Sequence, residues 1–172
     1  WQSPKSQKMG FPGWHIECSA MIKEILGETI DVHTGGIDHI PVHHTNEIAQ
    51  SMCANEKPLA NFWMHNAFLN VDSGKMSKSE KNFLRLEVLV KQGFNPLSFR
   101  YLLLTAHYSS PLLFSFQSLE GSQNALSKLK EKNEELGETQ DKSDTEKYIQ
   151  KFQEFINDDL NTPKALAFTW EI

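Results

Sequence analysis

Cysteine is scarce in this chain. Cys18 and Cys53 are the only two in 172 residues. Two thiols make no disulfide framework, so a reducing cytoplasm is the expected setting. Also missing is any apolar run near the ~18 residues a helix needs to cross a bilayer, so no membrane partner is expected. There is no secretory pattern, no polybasic tail and no internal repeat. Basic residues are outnumbered: 17 Lys and Arg against 22 Asp and Glu leave a net charge of −5. That balance argues against a protein that grips nucleic acid by bulk charge, while leaving a local RNA-binding patch open. The chain begins at Trp1 rather than Met, and from this we expect part of a longer protein.

What is present is an ordinary globular composition, 39% hydrophobic and 23% charged, enough for a packed core. Residues 1–12 are irregular. Pro12 and Gly13 end that stretch, and a helix is expected from there to about Leu26. Met21, Ile22, Ile25 and Leu26 give this helix an apolar face, and Gly27 stops it. Residues 29–32 (TIDV) read as a buried strand ending at His33. A glycine pair follows as a turn, then a helix over about 43–54. After Pro58, residues 62–71 predict a second strand. Asp72-Ser73-Gly74 carries turn chemistry, and a loop over 75–79 comes next.

Helices are expected over Leu86–Lys91, residues 97–107 (opened by Asn95-Pro96), Phe116–Leu136, and residues 144–156 and 162–170. Ser110-Pro111 marks a break, and residues 137–143 (GETQDKS) a linker. Strand, helix, strand and then helices predict an α/β fold: the last portion of a parallel sheet followed by an α-helical region.

Residues 33–47 (HTGGIDHIPVHHTNE) concentrate the chemistry. Gly35 and Gly36 lack Cβ, so the backbone there can turn sharply and approach a ligand. They lie where an α/β sheet binds ligands, and free N–H groups there suit phosphate or sugar oxygens. An ordinary strand-to-helix turn is the plain alternative. Asp38 follows. His43 and Glu47, four apart on a helix, share a face. With Cys18 they offer thiolate, imidazole and carboxylate, a set zinc accepts with a coordination position left open. Cys18 as a plain buried thiol is the competing reading. On the loop, Lys75 and Lys78 supply mobile charge, Ser77 and Ser79 supply hydroxyls, and Gly74 lets the loop move. That combination suits a polyphosphate, against the alternative of a solvated basic loop. Trp14, His15, His33, Trp63 and His65 fall near the same edge. Each alone is more often a packing residue than a site residue.

KMSKS, residues 75–79, is the signature loop of class I aminoacyl-tRNA synthetases, and within that class the chain closely resembles the cysteinyl-tRNA synthetases. The matching segments are GWHIECSAM (13–21), HTGGID (33–38), HHTNEIAQS (43–51), WMHNAFL (63–69), KMSKSEKNF (75–83) and DDLNTPKALA (158–167). They occur in family order over nearly the whole chain. The resemblance implies the second half of a Rossmann-like parallel-sheet catalytic domain over 1–83, with a helical stem-contact region over 84–136. A linker and the start of a helical anticodon-binding domain would occupy 137–172.

It also implies roles. Cys18, His43 and Glu47 match three of four zinc ligands. Lys78, with Lys75, matches the lysines that act on the ATP phosphates. Gly35, Gly36 and Asp38 match positions beside the nucleoside, and Trp14, His15 and His33 match the cysteine pocket. The implied activity is ATP-dependent activation of cysteine and its transfer to tRNA(Cys). Zinc would be the cofactor, L-cysteine, ATP with Mg2+ and tRNA(Cys) the partners, in a cytoplasmic monomer.

Three departures affect loop shape more than chemistry: Thr34 within the glycine run, Pro41-Val42-His43-His44-Thr45 in place of Phe-Pro-His-His-Glu, and Glu80-Lys81-Asn82 after the loop. The family's HIGH-type ATP motif and a fourth ligand, a cysteine, would precede Trp1, so the chain alone is expected to be inactive. Two rivals stand beside this reading. One is a cysteine ligase acting on an amino sugar, which the DDLNTPKALA segment disfavours. The other is a non-catalytic zinc or RNA-binding module.

Overall fold

The computed structural model describes residues 2, 6, 8–11, 13–71, 74–75, 85–136 and 144–172, with backbone alone at 74 and 75. The expected turn at 72–73, most of the KMSKS loop and the linker over 137–143 lie outside the described residues. So do the residues on both sides of the expected boundary at 83/84 and those just after the one at 136. The chain divides into two compact units, Trp1–Asn66 and Ala67–Ile172.

The first unit is built on a strand–helix–strand crossover. Helix α1 (Trp14–Ile25) comes first, ended by Gly27 at φ +105° with its N–H on the Ile22 carbonyl. Strand β1 (Ile30–Gly36) follows. A 3₁₀ turn (Ile37–His39), a wide π-type turn (Ile40–His44) and helix α2 (Thr45–Asn55) then carry the chain over to strand β2 (Ala60–Asn66). The two strands pair in parallel, Ile30 opposite Ala60 through Gly36 opposite Asn66. This is the parallel α/β unit expected from the sequence. Ser19 Oγ donates to Gln50 Oε1 at 3.0 Å and ties α1 to α2.

Several details differ from expectation. The glycine pair forms the last two residues of β1 instead of a turn. Its backbone is extended, at φ −75° and ψ 157° for Gly36, and the turn begins at Ile37. Helix α2 starts two residues later than expected because Pro41, with no N–H, sits in the wide turn before it. Thr45 Oγ donates to the Ile40 carbonyl at 2.6 Å inside that turn. Strand β1 is not buried: Asp31 and Val32 are exposed. On α1, Met21, Ile25 and Leu26 are exposed too.

In the second unit, strand β3 (Leu69–Val71) pairs in parallel with β5 (Leu112–Phe114) and antiparallel with the two-residue β4 (Gly74–Lys75). The single strand expected over 62–71 is therefore two strands in two sheets, parted at Ala67-Phe68. Helices α3 (Leu86–Lys91), α4 (Pro96–Leu104) and α5 (Phe116–Leu136) pack on the three-stranded sheet. Leu89, Leu102, Phe114 and Leu119 form the core, with Leu69, Val71, Phe94, Phe99 and Leu112 around it. Asn95 caps α4 by accepting the Leu97 N–H at 2.9 Å. Ser115 and Ser118 cap α5 reciprocally, each hydroxyl accepting the other's N–H at 3.0 Å. Helices α6 (Thr145–Asn157) and α7 (Thr162–Glu171) form an antiparallel pair joined by a tight turn, with Phe155 and Tyr148 against Phe168. Among the described residues no helix is long and apolar enough to cross a membrane.

Candidate metal centre

Three elements of the first unit converge on one point. Cys18 comes from the second turn of α1, His43 from the wide turn, and Glu47 from the first turn of α2. One ligand atom from each lies within 4.8 Å of the others. Glu47 is wholly buried and His43 is 8% exposed. A carboxylate in such a place needs partners or a cation.

Glu47 has a partner for one oxygen only. Its Oε2 receives a 2.8 Å bond from His33 Nε2. Its Oε1 lies 3.1 Å from His43 Nε2 but without hydrogen-bond alignment. It is buried with no hydrogen-bond partner, and so is His43 Nδ1. A buried carboxylate oxygen and a buried ring nitrogen without hydrogen-bond partners, in a group that also holds a thiol, suit a bound cation. Burial and the Glu47 carboxylate push the Cys18 thiol up from its usual value, while the Trp14 indole N–H pulls it down. The donor chemistry and the unpartnered atoms fit a zinc ion.

His33, His44 and Glu47 form a second close group. Their atoms are already committed, however. His33 Nε2 bonds Glu47, and His44 Nδ1 bonds His65 Nε2 at 2.7 Å. Of the two histidines, His33 is the one bonded to Glu47 and holds its carboxylate by one oxygen. Burial, then the neighbouring His33, push the His44 imidazole down to about 4, so it stays neutral near pH 7.

A wall of rings surrounds both groups. Trp14 lies 4.2 Å from His43 and 5.5 Å from His39 between centroids. Trp63 lies 4.7 Å from His33 and 4.9 Å from His44. Strand register builds this wall, since His33 sits opposite Trp63 and Gly35 opposite His65. The glycines serve closeness more than turning. A Cβ at Gly35 would lie 2.5 Å from His44 Cε1 and 2.9 Å from His39 Nδ1, and one at Gly36 would collide with the Asp38 carboxylate.

The expected residues are thus partly brought together. Cys18, His43 and Glu47 meet, with Trp14 and His33 against them, and His15 is 5.9 Å from His43. Asp38 is exposed in the 3₁₀ turn and stands apart from both groups. Lys75 has its backbone in β4, and Lys78 lies outside the described residues. Sequence reasoning passed over His39 and His44. The signal was available for His44: the period-two alternation of His33/Gly35 and Trp63/His65 defines a ring-lined face, and the glycine leaves room on it for one more ring.

Residues 1–124 match the family of tRNA synthetases class I (C), catalytic domain. Cysteine–tRNA ligase 1 of Burkholderia lata is 47% identical over 173 residues, covering 100% of this chain and 36% of its own length. Cysteine–tRNA ligase of Treponema denticola is 44% identical, covering 97% of this chain and 38% of its own. That of Chlorobaculum tepidum is 45% identical, covering 99% and 35%. The chain thus spans little more than a third of the length of these relatives. With the match running through both the metal-side cluster and the helical packing after it, the chain belongs to the class I (C) tRNA synthetase family, its first 124 residues corresponding to that family's catalytic domain.

Proposed function

We propose that this chain is part of a cysteine–tRNA ligase, and that Cys18, His43 and Glu47 are three of its zinc ligands. The observation that carries the reading is their convergence from three elements, with His43 Nδ1 and Glu47 Oε1 buried and unpartnered. In this reading residues 1–83 are the Rossmann-like part of the matched domain, 84–136, into which the match continues to residue 124, contact the tRNA stem, and 137–172 open an anticodon-binding helical domain. L-cysteine, ATP with Mg2+ and tRNA(Cys) are the substrates.

Activation joins the cysteine carboxylate oxygen to the α-phosphorus of ATP. The bond from that phosphorus to the bridging oxygen breaks, and pyrophosphate leaves with the electron pair. A terminal ribose hydroxyl of the tRNA then attacks the carbonyl and releases AMP. When bound, zinc supplies a soft Lewis acid that favours a thiol over a hydroxyl, the difference between cysteine and serine. His33 holds Glu47 by one oxygen and leaves the other free, so the ligand is oriented before an ion arrives. Trp14 and His15 line the amino-acid side. Gly35, Gly36 and Asp38 lie by the nucleoside. Lys78, with Lys75, neutralises charge growing on the departing pyrophosphate.

Elemental analysis tests the metal site. Cys18→Ala and His43→Ala should each lose zinc and cysteine activation in the full-length protein. Retained zinc in both would refute the ligand set. Lys78→Ala should slow cysteine-dependent pyrophosphate exchange by roughly 10²–10³-fold with little change in cysteine affinity. Unchanged exchange would remove the lysine from the reaction. Transfer of cysteine to an amino sugar in place of tRNA would reassign the acceptor while leaving the activation half intact.

A further inference from the structure

The turn between α6 and α7 is built in an unusual way. Asp159 and Leu160 both have left-handed backbones, at φ +50° and +54°. Neither is glycine, so each is strained unless the surroundings hold it. Leu160 gains little from packing, being 41% exposed. The turn's own bonds are local: Leu160 N–H to the Ile156 carbonyl at 3.0 Å, Asn161 N–H to Phe155 at 3.0 Å, and Asn161 Oδ1 accepting the Lys164 N–H at 3.4 Å.

The outside hold comes from two consecutive residues just past α4. His107 Nε2 donates to the Asp159 carbonyl at 2.7 Å. A carbonyl can only accept, so the proton is on Nε2, and Nδ1 is free to accept from Ser109 Oγ at 2.7 Å and Ser109 N at 3.3 Å. The Tyr108 hydroxyl donates to Asp159 Oδ1 at 2.7 Å. Thr162 Oγ adds a 3.4 Å bond to the Ala106 carbonyl, and the Trp170 indole donates to the Tyr101 hydroxyl at 2.8 Å. The segment at 107–108 is itself anchored to the residues that lead into β3. The Tyr108 carbonyl accepts the Ala67 N–H at 2.9 Å, and Leu112 N–H donates to Phe68 at 3.1 Å beside it.

We propose that His107 and Tyr108 are positioning residues. By holding Asp159 they fix the α6–α7 junction on the end of α4, and so place the helical pair that, on the reading above, faces tRNA. The strain at Asp159 and Leu160 is offset by contacts supplied from fifty residues away, so the junction keeps its shape only while docked. Helix α7 then inherits its orientation from the turn at 107–108.

Hydrogen exchange on the 172-residue chain tests the hold. The reporters are the amides of Leu160, Asn161 and Ala165, with the Leu119 amide, bonded to the Ser115 carbonyl, as the core reference. A variant carrying His107→Ala and Tyr108→Phe should speed junction exchange at least tenfold and leave Leu119 unchanged. Asp159→Ala keeps the carbonyl that His107 bonds and removes the Tyr108 partner, so it should speed junction exchange at least as much as Tyr108→Phe alone, and adding Tyr108→Phe to it should change nothing further. Asp159→Asn keeps the carbonyl and a side-chain oxygen, so it should exchange within twofold of the parent. Unchanged junction exchange in the double variant overturns the proposal, as does an equal acceleration at Leu119. In the full-length ligase the double variant should raise KM for tRNA about tenfold and leave pyrophosphate exchange unaltered. A loosened junction with unaltered tRNA kinetics would overturn the tRNA-facing role and leave the docking itself standing.

Discussion

Glu47 bonds His33 through one oxygen and lies against His43 with the other, and that division sets the geometry of the cluster. His33 would be an ordinary pocket residue if it did not bond Glu47 at 2.8 Å. Gly35 matters for the same reason at one remove. Its missing Cβ is the space into which His44 fits, and His44 in turn is bonded to His65 and walled by Trp63. Gly35→Ala should therefore cost about 1–3 kcal/mol, the usual range for overpacking a filled site. Denaturant unfolding followed by tryptophan fluorescence would measure it, and an unchanged midpoint would show that the ring simply moves aside. That His43 and Glu47 share a face was legible in the sequence because i,i+4 spacing is local information, whereas Cys18, on another helix, was offered on residue type and resemblance. The glycine's purpose was not legible, because it depends on a ring nine residues away that only the fold brings over it.

At the scale of the element, helices were the most readable. Leu86–Lys91 and Phe116–Leu136 run as the periodicity and caps predict, and α6 and α7 differ by a residue or so at their ends. Short strands were not readable. Leu112–Phe114 has three residues, too few for alternation to register, and it exists because β3 offers it a parallel partner. The continuous aromatic run after Pro58 hid a change of sheet at Ala67, where tertiary pairing overrides local pattern. Caps carry a checkable energy. Asn95 is followed by a proline that donates nothing, and its Oδ1 takes the Leu97 N–H. Asn95→Ala should cost about 1 kcal/mol in the thermal unfolding of the chain, and a loss under a few tenths would mean that Gln123, whose Oε1 accepts the Asn95 N–H at 2.8 Å, carries the junction without it.

For the molecule as a whole, the division into two compact units predicts that they unfold separately. Leu119 is fully buried among Leu89, Leu102 and Phe114. Leu119→Ala should destabilise the second unit by about 2–5 kcal/mol, lowering its unfolding midpoint, while zinc content stays at the parental level because Cys18, His43 and Glu47 all belong to the first. Zinc lost along with that midpoint would show that the metal cluster depends on the helical unit. The exposed apolar residues on α1 and β1 fit a parallel sheet that needs layers on both faces, and the chain spans little more than a third of its relatives. The pairing of β1 with β2 has a harsher side. Side chains alternate along a strand, so one residue inserted between Ala60 and Phe62 would shift the frame of everything beyond it. Phe62 and Met64 would then stand where Trp63 and His65 now face His33 and Gly35. Such a length change would dismantle the aromatic lining while sparing every ligand in the text of the gene, a lesion that no inspection of ligand residues would detect.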